Sequence, residues 1–129
     1  MAKSIPSLGE FEILVLRQVW QEQPCTERQI TEIVQKDRPV ARTTVLKTMQ
    51  RLEAKGFLTR QPGKGSIRFR AVFDERRVMP ALIRRFVEGV LGGSPEPLVA
   101  FLADSEKLSA KELAVLRAIA RKIGKEKEA

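Results

Sequence analysis

The chain contains no histidine, no tyrosine and one cysteine, Cys25. Those absences remove most groups on which enzymes and metal centres are built. Without histidine there is no imidazole to act as a general base near neutral pH. Cys25 falls in a predicted inter-helix turn with no base beside it, so it reads as a small residue filling that turn rather than a nucleophile. One cysteine and no histidine cannot assemble a zinc or copper site of soft ligands within one chain. Acidic pairs such as Glu10/Glu12 and Glu126/Glu128 lie at i, i+2 and do not share a helix face. Nucleotide-binding glycine patterns are missing as well: Gly63-Lys64-Gly65 is turn chemistry, and Gly92-Gly93 is a helix stop. A non-enzyme with no cofactor and no metal is expected.

Long apolar runs are also lacking. The longest, Leu98–Ala103, is far below the ~20 residues that a membrane span requires. The opening MAKSIPSLGE has no apolar core and no small-residue cleavage site. The single cysteine cannot form an internal disulfide, which fits a reducing compartment. These features predict a cytoplasmic protein without membrane insertion. The 129 residues, 43% of them apolar, suffice for one compact domain or a small one with an appendage.

What the chain does hold is positive charge in one place. Its net charge is +8, and residues 36–70 carry ten basic against two acidic residues, Asp37 and Glu53. The remaining residues hold fourteen of each sign and sum to zero. A confined patch of this kind favours polyanions, because each neutralised phosphate releases condensed counterions.

The patch coincides with a helix. Advancing by about 100° per residue from Ala41 to Lys55 puts Val45, Leu46, Met49 and Leu52 on one face. Thr43, Thr44, Lys47, Thr48 and Arg51 fall on the other, and none is acidic. An apolar face backed by Thr, Lys and Arg suits a helix lying in a DNA major groove.

The neighbouring segments support that reading. Ser7-Leu8-Gly9-Glu10 has the pattern of a capping box and opens a first helix with Phe11, Leu14, Val15, Leu16, Val19 and Trp20, ending before Pro24. Thr26-Glu27-Arg28-Gln29 repeats the pattern and starts a second helix through about Lys36. Pro39 disfavours a helical Arg38, so Asp37–Val40 is a turn and the segment is a helix-turn-helix. Gly56 is a plausible C′ glycine. Beyond it, Phe57–Gln61 and Ser66–Phe73 read as strands around a Pro62-Gly63-Lys64-Gly65 tip. Ile67, Phe69, Ala71 and Phe73 alternate with Arg68 and Arg70. A hairpin directly behind such a helix is the wing of a winged-helix domain.

A domain boundary is placed at 73/74. Residues 1–73 form the DNA-binding part and residues 74–129 a helical dimerisation part. A helix begins near Pro80 and runs to Leu91, where Gly92-Gly93 stops it. Ser94-Pro95 starts another, and Ser109-Ala110-Lys111-Glu112 caps a last one, with Gly124 and KEKEA as a frayed tail. Their apolar stripes include Leu82, Phe86, Val90, Leu98, Phe101, Leu102, Leu113, Leu116 and Ile119. Three short helices cannot bury all of these alone, and DNA half-sites come in symmetric pairs, so a homodimer is expected.

The order LGEFEILVLRQVW, RPVARTTVLKTMQRLEAKGFLTR, a GKG-tipped wing with IRFR, FVEGVLGGSPEPLVAFL and EKLSAKELAVLRAI resembles the penicillinase-repressor family over about Leu8 to Ile123. The resemblance implies a mainly α chain: a winged helix-turn-helix followed by a three-helix dimerisation region. It implies a homodimeric repressor on a palindromic double-stranded DNA operator. A membrane-bound sensor protease would relieve repression by triggering cleavage in the dimerisation region. The family's cut falls between Asn and Phe; the matching bond here is Ala100–Phe101, with alanine in place of the asparagine. The cysteine cluster of the copper-responsive branch is absent.

The roles expected of individual residues follow. Thr43 and Thr44, with Thr48 beside them, touch a thymine methyl or a phosphate, and Lys47 and Arg51 can read guanine. Arg42, Arg60, Lys64, Arg68 and Arg70 hold phosphates or line the minor groove beside the wing. The alternative from a neighbouring class is a ligand-sensing winged-helix regulator, which needs a pocket for its effector.

Overall fold

In the computed structural model, which describes residues 6–63 and 65–128, with side chains through Lys122, the chain divides into two compact units after Val78. The first unit holds α1 (Glu10–Glu22), α2 (Glu27–Asp37), α3 (Arg42–Ala54) and an antiparallel hairpin of β1 (Leu58–Gln61) and β2 (Arg68–Ala71). α4 (Glu75–Arg85) spans the division and leads into a π-helical turn (Phe86–Val90). The second unit continues with α5 (Glu96–Asp104) and α6 (Ala110–Glu128).

The first core is made by one side of each helix. Val15, Leu16 and Val19 of α1, Ile30 and Val34 of α2, and Val45, Met49 and Leu52 of α3 are buried together with Phe57, Leu58 and Phe69 of the hairpin. Trp20 is anchored as well as packed: its Nε1–H donates to the Phe73 carbonyl at 2.9 Å. Phe73 in turn meets Phe57 edge-on, with ring centroids 6.3 Å apart. The wing is thus tied back to α1, as a hairpin that is marginal on its own requires.

Local signals set the helix ends. Thr26 Oγ1 accepts from the Gln29 backbone N–H and Gln29 Oε1 accepts from the Thr26 N–H, a complete capping box. Ser109 and Glu112 repeat the reciprocal pair at α6. The two Ser109 hydrogen bonds hold the Glu112 carboxyl below its usual range. At the end of α3, Gly56 takes φ +90°. The Phe57 N–H then reaches the Leu52 carbonyl and the Gly56 N–H that of Glu53, which is the Schellman closure.

Three elements differ from the sequence expectation. α1 starts at Glu10 with Gly9 as N-cap, not at Ser7, because the Glu12 carboxylate folds back onto the Gly9 N–H at 2.8 Å. α4 begins at Glu75 rather than near Pro80, and Asp74 Oδ1 caps it by accepting from the Arg77 N–H. Pro80 therefore lies inside the helix, beyond its first turn, where it cannot donate a backbone hydrogen bond to the Arg76 carbonyl. Five residues separate the 73/74 boundary from the division of the units, and Val78, within that stretch, is fully buried. α6 continues through Gly124 to Glu128 instead of fraying; the side chain of Ile123 lies outside the described residues.

Cys25 does more than fill a turn. It exchanges two backbone hydrogen bonds with Phe69, adding a bridge on the edge of β2 away from β1. Its thiol is fully buried. That burial, together with the Glu22 charge and against the pull of Arg68, pushes it up to about 11.

Candidate nucleic-acid interface

α3 presents its outward side along a narrow arc. Thr43, Lys47, Gln50 and Ala54 succeed one another at four- and three-residue steps, which keeps them within about 60° of arc. All four are exposed, as are Thr44 and Arg51 on one flank and Arg42 on the other. The opposite side is buried through Val45, Thr48, Met49 and Leu52. No acidic side chain stands on the exposed arc.

Thr48 is a correction. It was expected to face the groove beside Lys47, but it is only 3% exposed. Its Oγ1 donates to the Thr44 carbonyl at 2.8 Å, so its own helix satisfies the hydroxyl and the methyl can join the core. Leu46 shifts the other way: expected on the buried face, it is half-buried and lines a cleft between α3 and the wing.

The arginines expected on phosphates divide into two groups. Arg42 pairs with Glu27, its Nε–H shared between the two carboxylate oxygens at 3.2 Å each. Arg60 pairs in the same way with Glu53, at 3.0 and 2.8 Å, and lies over the Phe69 ring. Both reach a phosphate only by sharing or leaving these carboxylates. Arg68 and Arg70 of β2 are exposed and form no ion pair among the described residues. Lys64, at the wing tip, lies outside the described residues.

Lys55, just past α3, acts inside the fold. Its Nζ lies 2.9 and 2.8 Å from the two Glu12 oxygens and 2.9 Å from the Ser7 carbonyl, pinning the end of α3 to the start of α1. Burial of Glu12 works to raise its carboxyl. The hydrogen bonds from Lys55 and the Gly9 N–H, with the charges of Lys55 and Arg51, outweigh it and hold the group below the usual range.

Gln50 escaped the sequence reading, which sorted the helix by charge and by hydroxyl groups. The signal was available: the i, i+4, i+7 spacing from Thr43 through Lys47 puts Gln50 on the outward arc.

In the second unit, Phe86, Val90, Phe101 and Ile119 are exposed by between 45% and 72%, and so are Ile83 and Val115. Leu82, Leu98, Leu102, Leu113 and Leu116 are half-buried. Ala100 and Phe101 are both exposed and lie within α5. A groove of about 570 Å³ is lined chiefly by apolar side chains, among them Ile83, Val87, Leu98, Leu116 and Ile119. No helix among the described residues is long and apolar enough to cross a membrane.

This architecture has counterparts among solved structures. The chain is similar to the transcriptional regulator SlyA, at 24% identity over 93% of this chain and 76% of that one, with a TM-score of 0.53. It is also similar to a MarR family protein from Bacillus stearothermophilus, at 18% identity over 96% and 78%, TM-score 0.55. A third is the transcriptional regulator Tm0710 from Thermotoga maritima, at 20% identity over 93% and 77%, TM-score 0.51. These likenesses show the winged-helix fold. No curated protein matches the chain significantly. The family model of the penicillinase repressor matches residues 8–122, which takes in both units. The chain belongs to the penicillinase repressor family, and it is a winged-helix transcriptional regulator.

Proposed function

We propose that the chain is a homodimeric repressor that occupies a palindromic DNA operator, one α3 to each half-site. The observation that carries this is the outward arc of α3: Thr43, Thr44, Lys47, Gln50 and Arg51 exposed on a rigid, core-backed helix without an acidic neighbour on the arc. Backbone-holding charge stands beside it in Arg68 and Arg70 of the wing. The exposed apolar side chains of the second unit, Phe86, Val90 and Phe101 among them, supply the surface for a second copy.

Release by a membrane-bound sensor protease fits the placement of Ala100–Phe101. The bond is on an exposed side of α5, but a protease takes extended backbone, so α5 must open before it is cut. A nine-residue helix is marginal by itself and opens locally at little cost. Cutting there severs α6 from the rest of the chain, and the dimer's avidity is lost with it.

The apolar groove of the second unit gives the ligand-sensing regulator its one supporting observation. The groove is open and flanked by the same exposed residues, so the partner chain is the better occupant.

Selecting bound sequences from random duplex DNA tests the proposal. The expected result is enrichment of one inverted repeat whose half-sites lie about one helical turn apart, or a multiple of it. Enrichment of a single unrepeated site, or of none, contradicts it.

A further inference from the structure

We infer that Gln50 is a specificity-determining residue that reads one A·T pair in each half-site; this rests on the operator-binding reading above. Three observations place it. Gln50 is exposed on the outward arc of α3, at its edge next to Leu46. It also lines a cleft of about 440 Å³ walled by α3, the wing and the start of α2, where Leu46 and Ile67 stand on the same walls. Ile67 is 47% exposed on the cleft wall, so an apolar group that enters the cleft meets it.

The chemistry of the cleft matches one base pair and not the others. A glutamine amide offers one acceptor and one donor side by side, the complement of adenine N6–H and N7 in the major groove. Across the same pair, thymine presents its C5 methyl, for which Leu46 and Ile67 provide apolar neighbours. A G·C pair in that place would set guanine O6 and N7, two acceptors, against an amide with a single donor edge. The three arginines on the cleft walls each face a carboxylate. Arg28 pairs with Glu32, Arg42 with Glu27 and Arg60 with Glu53, so none of these guanidinium groups is directed at the base edge. Gln50 makes no side-chain hydrogen bond among the described residues, and its amide is available to an incoming base.

The test compares wild type and Gln50→Ala by selection from random duplex DNA, followed by titration on the selected operator. Circular dichroism checks that the exposed substitution leaves the fold intact. Wild type is expected to require adenine at one position of each half-site. Gln50→Ala is expected to accept any base there, to keep every other preference, and to bind the operator at least about 30-fold more weakly, since a contact is lost in each of the two half-sites. Replacing that adenine by 7-deazaadenine, which lacks N7, should weaken wild type and leave the variant unchanged. If the variant still requires every base the wild type requires, or loses affinity for operator and random DNA alike, the inference is overturned while operator binding stands. If wild type itself enriches no sequence, operator binding falls and the inference with it.

Discussion

Phe101→Asp is expected to give a folded monomer whose affinity for the operator is lower by at least about 100-fold. The side chain is 66% exposed on α5, so its loss removes little from the fold of a single chain. In a dimer the same ring is worth far more, because an aromatic side chain buries about 150–250 Å² and a carboxylate in its place must be desolvated. Two linked half-sites bind with an effective concentration that raises avidity by about 10²–10⁴, and a monomer forfeits it. Sedimentation equilibrium at micromolar protein checks the first part and operator titration the second. Phe86→Asp, 45% exposed and remote in sequence from the Ala100–Phe101 bond, should behave alike. A Phe101→Asp protein that stays dimeric with unchanged helicity contradicts the assignment of this surface.

Lys55→Met is expected to destabilise the first unit by roughly 2–3 kcal/mol near neutral pH, since it leaves the buried Glu12 carboxylate without its ammonium partner. This is below the usual cost of about 3–5 kcal/mol for breaking a buried pair, because the Lys55 side chain is 29% exposed and its charge partly screened. Acid should shrink the difference. The folded-state carboxyl is held below its ordinary 4.5, so the pair's contribution is present above that pH and is lost as pH falls through the lowered value. Once Glu12 is protonated it no longer needs Lys55, and the two proteins should approach equal stability. Urea unfolding at neutral pH and below pH 4 measures both. The double variant Glu12→Gln/Lys55→Met should recover most of the loss at neutral pH. A deficit that is the same at both pH values would mean Lys55 acts by packing its alkyl stem.

The features that could be read from the residues were those governed by neighbours in sequence. Thr26 with Gln29 and Ser109 with Glu112 formed the boxes their spacing suggested, and Arg38 is extended ahead of Pro39. Gly56 takes the left-handed conformation that ends α3. What escaped depends on contacts or choices that a residue pattern does not encode. Thr48 sits near the edge of the buried face, and only its bond to the Thr44 carbonyl lets a hydroxyl turn inward. Ser7 has the spacing of a capping box with Glu10, but the fold-back of Glu12 onto the Gly9 N–H makes Gly9 the N-cap. The bridge between Cys25 and Phe69 joins residues far apart in the chain, and the π-helical turn at Phe86–Val90 has no local signature. The pairing of Arg42 with Glu27 is equally non-local, and it changes what that arginine can offer DNA. Charge sorting named the basic members of the site but passed over Gln50, which is neutral and stands among them.

The most direct test of α3 as the reading edge is the specificity ratio, the affinity for the selected operator over that for random duplex at one salt concentration. It should be measured for wild type, Lys47→Ala and Arg68→Ala. Lys47→Ala is expected to lower the ratio by at least about 30-fold through the operator alone, one contact being lost in each half-site. Arg68→Ala should weaken both DNAs alike, preserve the ratio and reduce the salt slope by about two units, one for each half of the dimer. A ratio unchanged by Lys47→Ala would contradict the account.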